Sequence, residues 1–547
     1  MKKLYTIIIL ALVFINVNAQ TPSWAWADGA EGGSVNVESF GTTTDNQGNV
    51  YVTGTYSADS ITFGAFTLIN AGGDSLSGSN GNDCYIVKYS STGSVLWAKG
   101  AGGLYDDYGQ GVTTDALGNV YVSGYFGSQS IVFGTDTLTN MSAFLGITDA
   151  FIVKYDALGN VLWTKRAGYI FGDRASDITT DASGNVYVTG LFDTQITFGS
   201  FTVSSGASYT QTFIVKYDSA GNALWAKSST ASSTSASSYG TGVSTDDSGN
   251  VYITGGTAYA PVTFGTTTLA NAGGQDMFIV KYDATGTMQW ARGAGGTGQE
   301  YGHDIAADAA GNVYIVGDFA SPFMVFGTDT LTTNGGDDIF FVKYDASGNL
   351  QWVNGVNGAL QDEAYSTTVD ADGNAYILVS SWSTPLTFGT VTLTNSAVGS
   401  PIIVVKYNAA GNAIWAKKAE CTAFGFHAGI TTDYLGNVFV TGTVVGIASF
   451  DSDTLDYVST VIYVAKLGNS SVGFEENFTS NEISIYPNPS NGIFKISKNV
   501  KTIEVFNLMG ELILSQGNIN EINLNAFPSG MYVARVNGEN LVRLLKE

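Results

Sequence analysis

The sequence predicts an all-β chain: a seven-bladed β-propeller closed by an N-terminal strand, followed by a small C-terminal β-sandwich. Three observations predict it. The composition is rich in Gly (68 residues) and aromatics (12%) and poor in charge (13%), which suits short strands and tight turns better than exposed helices. The string Asp-x-x-Gly-Asn recurs seven times, starting at Asp45, Asp115, Asp181, Asp246, Asp308, Asp370 and Asp433, with spacings of 62 to 70 residues. The seventh copy stops one strand short, and a matching orphan strand stands near the N-terminus.

The chain opens with basic Lys2 and Lys3, an apolar run from Leu4 to Ile15, and the small-residue exit Val17-Asn18-Ala19. This pattern predicts a secretory signal peptide over residues 1–19. The apolar run is short for a bilayer span, and no later stretch is apolar enough to be one.

Residues 20–467 read as the propeller. One unit, read through, contains four strands: Gly111–Asp115, Asn119–Ser123, Ala150–Tyr155 and Asn160–Trp163. All are β-branched or aromatic in character and bounded by Gly, Asn and Asp. Their apolar residues do not simply alternate, as expected of strands covered on both faces. The Asp-Ala-x-Gly-Asn pentad stands between strands one and two (Asp115–Asn119) and again between strands three and four (Asp156–Asn160). There Asp bonds its own turn and Gly supplies positive φ. A smaller hairpin, Ile131–Gly134 with Thr137-Leu138, is inserted between strands two and three. The other unit markers are Val-Lys-Tyr, centred on Lys88, Lys154, Lys216, Lys281, Lys343 and Lys406 and degraded at Lys466, and a Trp at 97, 163, 225, 290, 352 and 415. Four-stranded units repeated radially are propeller blades. Ser23–Ala30 matches Leu96–Ala101, so the N-terminal strand is expected to complete the last blade and remove two open sheet edges.

The strings Gly-Asn-Val-Tyr-Val-Thr-Gly, Phe-Ile-Val-Lys-Tyr-Asp and Gly-Asn-x-x-Trp resemble the bacterial seven-bladed propeller repeats of the SBBP type. The resemblance covers about residues 23 to 467 and departs in the inserted hairpin. It implies a fold and an extracellular setting, and no single activity.

Residues 468–482 are mostly polar, match no marker and read as a linker. Residues 483–547 then carry alternating runs punctuated by Pro, Gly and Asn, which predict a small β-sandwich. Ile483–Phe494, with the motif residues Tyr486, Pro487, Asn488, Pro489 and Gly492, is followed by Ile503–Glu511 and Phe527–Val536. In that order these strings closely resemble the C-terminal sorting domain of type IX secretion cargo in the Bacteroidetes. The resemblance implies that the type IX machinery is a partner and that the protein is exported across the outer membrane, to be released or held at the surface. The ending Leu545-Lys546-Glu547 departs from the basic terminus common in such domains.

A formal charge of −24 repels nucleic acid and anionic lipid. Cys84 and Cys421 lie in different units without metal-ligand spacing and read as two isolated core thiols. The seven Asp markers do not read as calcium ligands, because the same pentad serves two hairpins per unit and no EF-hand tract appears. Gly100–Gly103 and Gly293–Gly296 precede no helix and no Gly-Lys-Ser/Thr, so they are not phosphate cradles. There is no Gly-x-Ser-x-Gly elbow. Neither a metal site nor a cofactor is expected.

The candidate site is the mouth of the central channel. The polar residues four and five positions before the Asp markers are Gln110, Ser176, Asp177, Thr241, His303, Asp304, Tyr365 and Ser366. From these, Gln110, Asp177, His303, Asp304 and Tyr365 are selected as ligand-binding. Asp177 and Asp304 share a register two blades apart and suit a cation or a sugar hydroxyl. The two histidines, His303 and His427, are expected just before a first strand. Tyr56, Tyr125, Phe126, Phe192, Tyr259, Phe319 and Trp382 follow second strands and either stack on sugars or lie under the inserted hairpin. Asp-Ser/Thr-apolar strings at Ser60, Ser75, Thr137, Ser219, Thr330 and Thr454 resemble O-glycosylation sites of exported Bacteroidetes proteins. With no catalytic motif, the expectation is a non-catalytic surface or secreted binding protein for a glycan or protein. The alternatives are a polysaccharide hydrolase or lyase and a purely structural surface protein.

Overall fold

The computed structural model describes residues 21–31, 37–72, 81–142, 144, 146–205, 209–231, 233, 235–394, 399–423, 425–468, 485–486, 490, 492–507, 512–528, 530–537 and 540–546. The expected signal peptide, most of the expected linker and Pro487-Asn488-Pro489 lie outside the described residues. Those described are strands and connections, with no helix among them. The chain divides into two compact units, residues 1–469 and 470–547.

The second repeat unit illustrates the larger part. Asp107–Thr114, Val120–Phe126, Asp149–Tyr155 and Val161–Ala167 form one antiparallel four-stranded sheet in sequence order. The strands run longer than the sequence predicts. The first extends four residues upstream because a β-bulge at Gln110 lets pairing resume, Gly109 facing Gly124 and Gly111 facing Ser123. Gly124 is required opposite the bulge, where a Cβ would lie 1.9 Å from the Tyr108 carbonyl oxygen. Second and third strands are buried on both faces, as in Val50–Tyr56 and Asp83–Tyr89, so their apolar residues need not alternate. The inserted hairpin pairs Ser130–Phe133 with Asp136–Thr139 as a separate ribbon, seated by Phe133 on Phe151 at 4.9 Å between ring centroids. In the last unit the insertion merges with its neighbours, and Val438–Phe450 and Asp453–Leu467 form one long hairpin.

The repeated markers form one local machine. Asp115 Oδ1 accepts from the backbone N–H groups of Leu117 and Asn119, and Oδ2 from Asn119 Nδ2 and Tyr121 Oη. Burial works to raise this carboxyl, but the donors outweigh it and hold it below its usual range. Lys154 lies 3.8 Å from Asp115 and 4.9 Å over the Tyr121 ring. Lys154 Nζ and Trp163 Nε1 both donate to the Ser219 carbonyl of the next unit, at 3.0 and 3.2 Å. Lys88 and Trp97 grip Ala157 in the same way, and Lys216 and Trp225 grip Ala284. The seven turn carboxylates are thus occupied locally by turn, Asn and, in most units, Tyr donors.

First strands of successive units lie side by side from Val37–Thr44 to Gly425–Thr432, and those two also lie side by side. Thr114 Oγ1 donates to Thr44 O, Thr180 to Thr114 O and Thr245 to Thr180 O. Thr44 in turn donates to Thr432 O at 2.9 Å. Trp24–Glu31 pairs antiparallel with Asp453–Leu467, setting Trp26 opposite Lys466 as Trp97 stands opposite Lys88.

Outside the markers, four junctions carry facing acids. The third-strand residues Asp83, Asp149, Asp276 and Asp338 meet the first-strand residues Asp107, Asp173, Glu300 and Asp362 of the next unit. Burial, then the neighbouring acid, raises Asp107 and Asp173 to about 8. Burial likewise raises Asp83 and Asp276 to about 6. Cys84 and Cys421 are both free and buried.

In residues 470–547, Ile485-Tyr486, Ile493–Phe506, Leu512–Asn523, Gly530–Val536 and Asn540–Lys546 form one five-stranded hydrogen-bonded sheet. Its core includes Phe494, Ile503, Val505, Ile522, Tyr532 and Leu544. The sandwich expected here is a single connected sheet, because Ile493–Phe506 is long enough to pair with three partners.

Candidate functional site

Each first strand of the repeat part carries a bulge at the same place, so Phe40, Gln110, Ser176, Thr241, His303, Tyr365 and Ala428 fall between paired residues. A bulged residue is re-aimed out of the regular pleat. All seven line one cavity of about 600 Å³. The five residues selected from the sequence, Gln110, Asp177, His303, Asp304 and Tyr365, are therefore brought together on its wall. His303 and His427 lie within first strands rather than before them, because those strands continue upstream past the bulge. The side chain of His427 lies outside the described residues.

Asp177 and Asp304 follow bulges and reach across to the next unit. Asp177 accepts from the N–H groups of Ile178 and Val243, both at 2.8 Å. Asp304 accepts from Ile305 N (2.7 Å), Thr367 N (2.9 Å) and Ser366 Oγ (2.6 Å). Burial raises both carboxyls, and the charge of Asp304 raises Asp177 further. Each acid thereby staples two first strands while keeping a face on the cavity. Gly111 and Gly242 hold the equivalent place in the units before them. A Cβ on Gly111 would lie 2.9 Å from Asp177 Cα, and one on Gly242 3.2 Å from Asp304 Cα.

His303 Nε2 is hydrogen-bonded to Asp318. Burial would lower the imidazole, but Asp318, then Glu363 and Asp304, leave it raised. Its ring stacks between Tyr301 (5.8 Å) and Tyr365 (6.4 Å), and Tyr365 Oη donates to Glu363. Phe40 tilts against Tyr108, which stacks on Tyr125 at 4.9 Å under the Arg174 guanidinium.

Sequence reasoning missed Glu38 and Phe40, which also line the cavity. Phe40 occupies the selected register but is apolar, and Glu38 sits two residues upstream on the same strand face. Burial raises the Glu38 carboxyl. Of the aromatics after second strands, Tyr56, Phe126, Phe192 and Phe319 are fully buried, whereas Tyr259 is 73% exposed and Trp382 38%. Thr137, Ser219, Thr330 and Thr454 are exposed and Ser60 is half-buried; Ser75 lies outside the described residues. Among the described residues no group of three or more His, Cys, Asp or Glu is placed to hold a metal ion.

A family model described as the secretion system C-terminal sorting domain matches residues 484–546. A second, the SBBP β-propeller repeat, matches residues 97–125, the stretch from the Trp97 clamp through the Asp115 turn. The chain carries an SBBP propeller repeat and a type IX sorting domain. Such a sorting domain marks proteins exported to the cell surface or secreted, and it implies contact with the secretion machinery. No helix among the described residues is long and apolar enough to cross a membrane. An uncharacterized WD repeat-containing protein of Acanthamoeba polyphaga mimivirus is 26% identical, over 64% of this chain and 31% of its own length. The match thus spans about a third of that relative. Among solved structures, an ulvan polysaccharide lyase is 11% identical with a TM-score of 0.41, covering 80% of this chain and 96% of its own. The Neurospora crassa Pan2 WD40 domain is 8% identical with a TM-score of 0.37, covering 79% and 89%.

Proposed function

We propose that the chain is an exported, non-catalytic binding module: a seven-bladed propeller, residues 20–467, closed by its N-terminal strand and joined by a linker to the sorting domain at 483–547. Closure is supported by the last clamp, in which Lys466 and Trp26 both donate to Ser91 O at 3.2 Å, as Lys154 and Trp163 do on Ser219. The Thr44 bond to Thr432 supports it from the inner strands.

One observation carries the binding reading. The scaffold repeats its turn, clamp and bulge from unit to unit, yet the bulge residues are Phe, Gln, Ser, Thr, His, Tyr and Ala. Five of the seven carry a hydrogen-bonding group, and all seven face one cavity. Preference for binding over polysaccharide hydrolysis or elimination rests on the carboxyls: Asp177 and Asp304 are tied to backbone N–H groups, and the described lining residues include no Lys or Arg to neutralise a uronate. The test is a glycan and protein binding array with the mature secreted protein, run beside a Gln110→Ala variant. Saturable binding weakened by the substitution is the expected result. Turnover on a polysaccharide panel would favour the enzyme alternative, and absence of any ligand would favour a structural role.

A further inference from the structure

We propose that the cavity takes a neutral saccharide, with Asp177 and Asp304 hydrogen-bonding its hydroxyls and the rings of Phe40 and Tyr365 lining the space it enters. The inference rests on the binding reading and names the ligand class for that same site.

The cavity carries the three things a sugar residue needs. The first is fixed acceptors. A carboxylate has about four lone-pair sites. Asp177 uses two of them on backbone N–H groups, which leaves one on each oxygen for a ligand hydroxyl. Two adjacent oxygens suit two neighbouring hydroxyls, and a carboxyl that burial holds toward its neutral form can also donate to one of them. The backbone bonds hold these acceptors on strands rather than loops, so little ordering is left to occur on binding. The second is apolar rings beside the polar groups. Tyr301, His303 and Tyr365 form a continuous stack, and Tyr365 and Phe40 line the cavity. Rings with a polar edge present both an apolar body and a hydrogen-bonding tip. The third is groups that both donate and accept. Gln110 and Ser176 line the cavity, and a side-chain amide or hydroxyl does both.

Charge decides which saccharides fit. Among the described lining residues there is one His and no Lys or Arg, and burial raises the carboxyls of Glu38, Asp177 and Asp304. A uronate or sulfated sugar would be desolvated there without a paired cation. The volume of about 600 Å³ falls within the ~300–1,000 Å³ typical of small-ligand sites.

The experiment uses the mature secreted protein and isothermal titration with cello-, manno- and xylohexaose and with hexagalacturonate. Each titration is repeated on Gln110→Ala and Ser176→Tyr, both at half-buried bulge positions, with melting temperature as the folding control. At least one neutral hexasaccharide is expected to bind, about tenfold or more tighter than hexagalacturonate. Gln110→Ala is expected to weaken it by about tenfold, and Ser176→Tyr, which narrows the cavity, to weaken it further. Tighter binding of hexagalacturonate overturns the inference. Neutral binding unchanged by both substitutions overturns the cavity as its site and leaves the binding module standing. Capture of a protein ligand alone overturns the saccharide class only. A chain that binds no glycan and no protein overturns the inference and the binding reading together.

Discussion

At the scale of single residues, the chain separates two kinds of carboxyl by their surroundings. The turn acids Asp45, Asp115 and Asp370 are held low by Asn, Tyr and backbone donors that outweigh burial. Four junction acids are buried beside another acid with too few donors, and are held high: Asp107 and Asp173 to about 8, Asp83 and Asp276 to about 6. The sign of the pH effect follows. An acid whose folded value exceeds its unfolded one binds more protons when folded, so its contribution is complete at low pH and is lost as pH rises through the folded value. The melting temperature is therefore expected to fall between about pH 5 and 9. Asp107→Asn together with Asp173→Asn should flatten the upper part of that fall, because an amide keeps the acceptor for Ser128 N–H and Tyr169 N–H without carrying charge. Calorimetry across that range tests this, and a melting temperature that climbs from pH 6 to 9 in the native chain would contradict it.

At the scale of elements, the N-terminal strand is the one piece that leaves its place in sequence. Trp24 is 5% exposed, meets Phe450 edge-on at 5.0 Å and donates Nε1 to Lys418 O. The N–H groups of Trp24 and Ala27 are taken by the carboxylates of Asp451 and Asp453. Trp24→Ala is expected to cost about 3 kcal/mol or more, as for other buried aromatic truncations, read as a lower urea midpoint. Deleting residues 21–31 should expose the edge of Asp453–Leu467 and make the last unit the first site of proteolysis. A deletion variant as protease-resistant as the parent would show that the strand adds nothing.

At the scale of the whole molecule, the repeat part and the sorting domain have separate cores. Removing residues 483–547 should therefore leave the melting transition of the repeat part in place while stopping export. Cell fractionation is expected to find the truncated chain inside the outer membrane and the full chain outside or on the surface. Export of the truncated chain would place the sorting signal elsewhere.

Much of this was legible in the residues. Asp115-x-x-Gly118-Asn119, Tyr121, Lys154 and Trp163 could be read as markers because they repeat, and the turn role of Asp follows from chemistry within five residues. The register shared by Asp177 and Asp304 was also legible, since a repeated scaffold makes equal offsets equal places. What the markers do together was not: Lys154 and Trp163 meet on Ser219 O, some sixty residues on. Neither was the bulge, which lengthens each first strand and turns Phe40 as well as Gln110 toward the cavity. Nor were the junction acids, which look like ordinary polar strand ends until Asp83 and Asp107 are buried together. The turns and the strands that flank them could be read from the residues, because they depend on neighbours along the chain. Which residues line one cavity, which acids are buried together and which carbonyl each Lys and Trp grips could not. Those depend on contacts between units, which repetition implies but does not specify.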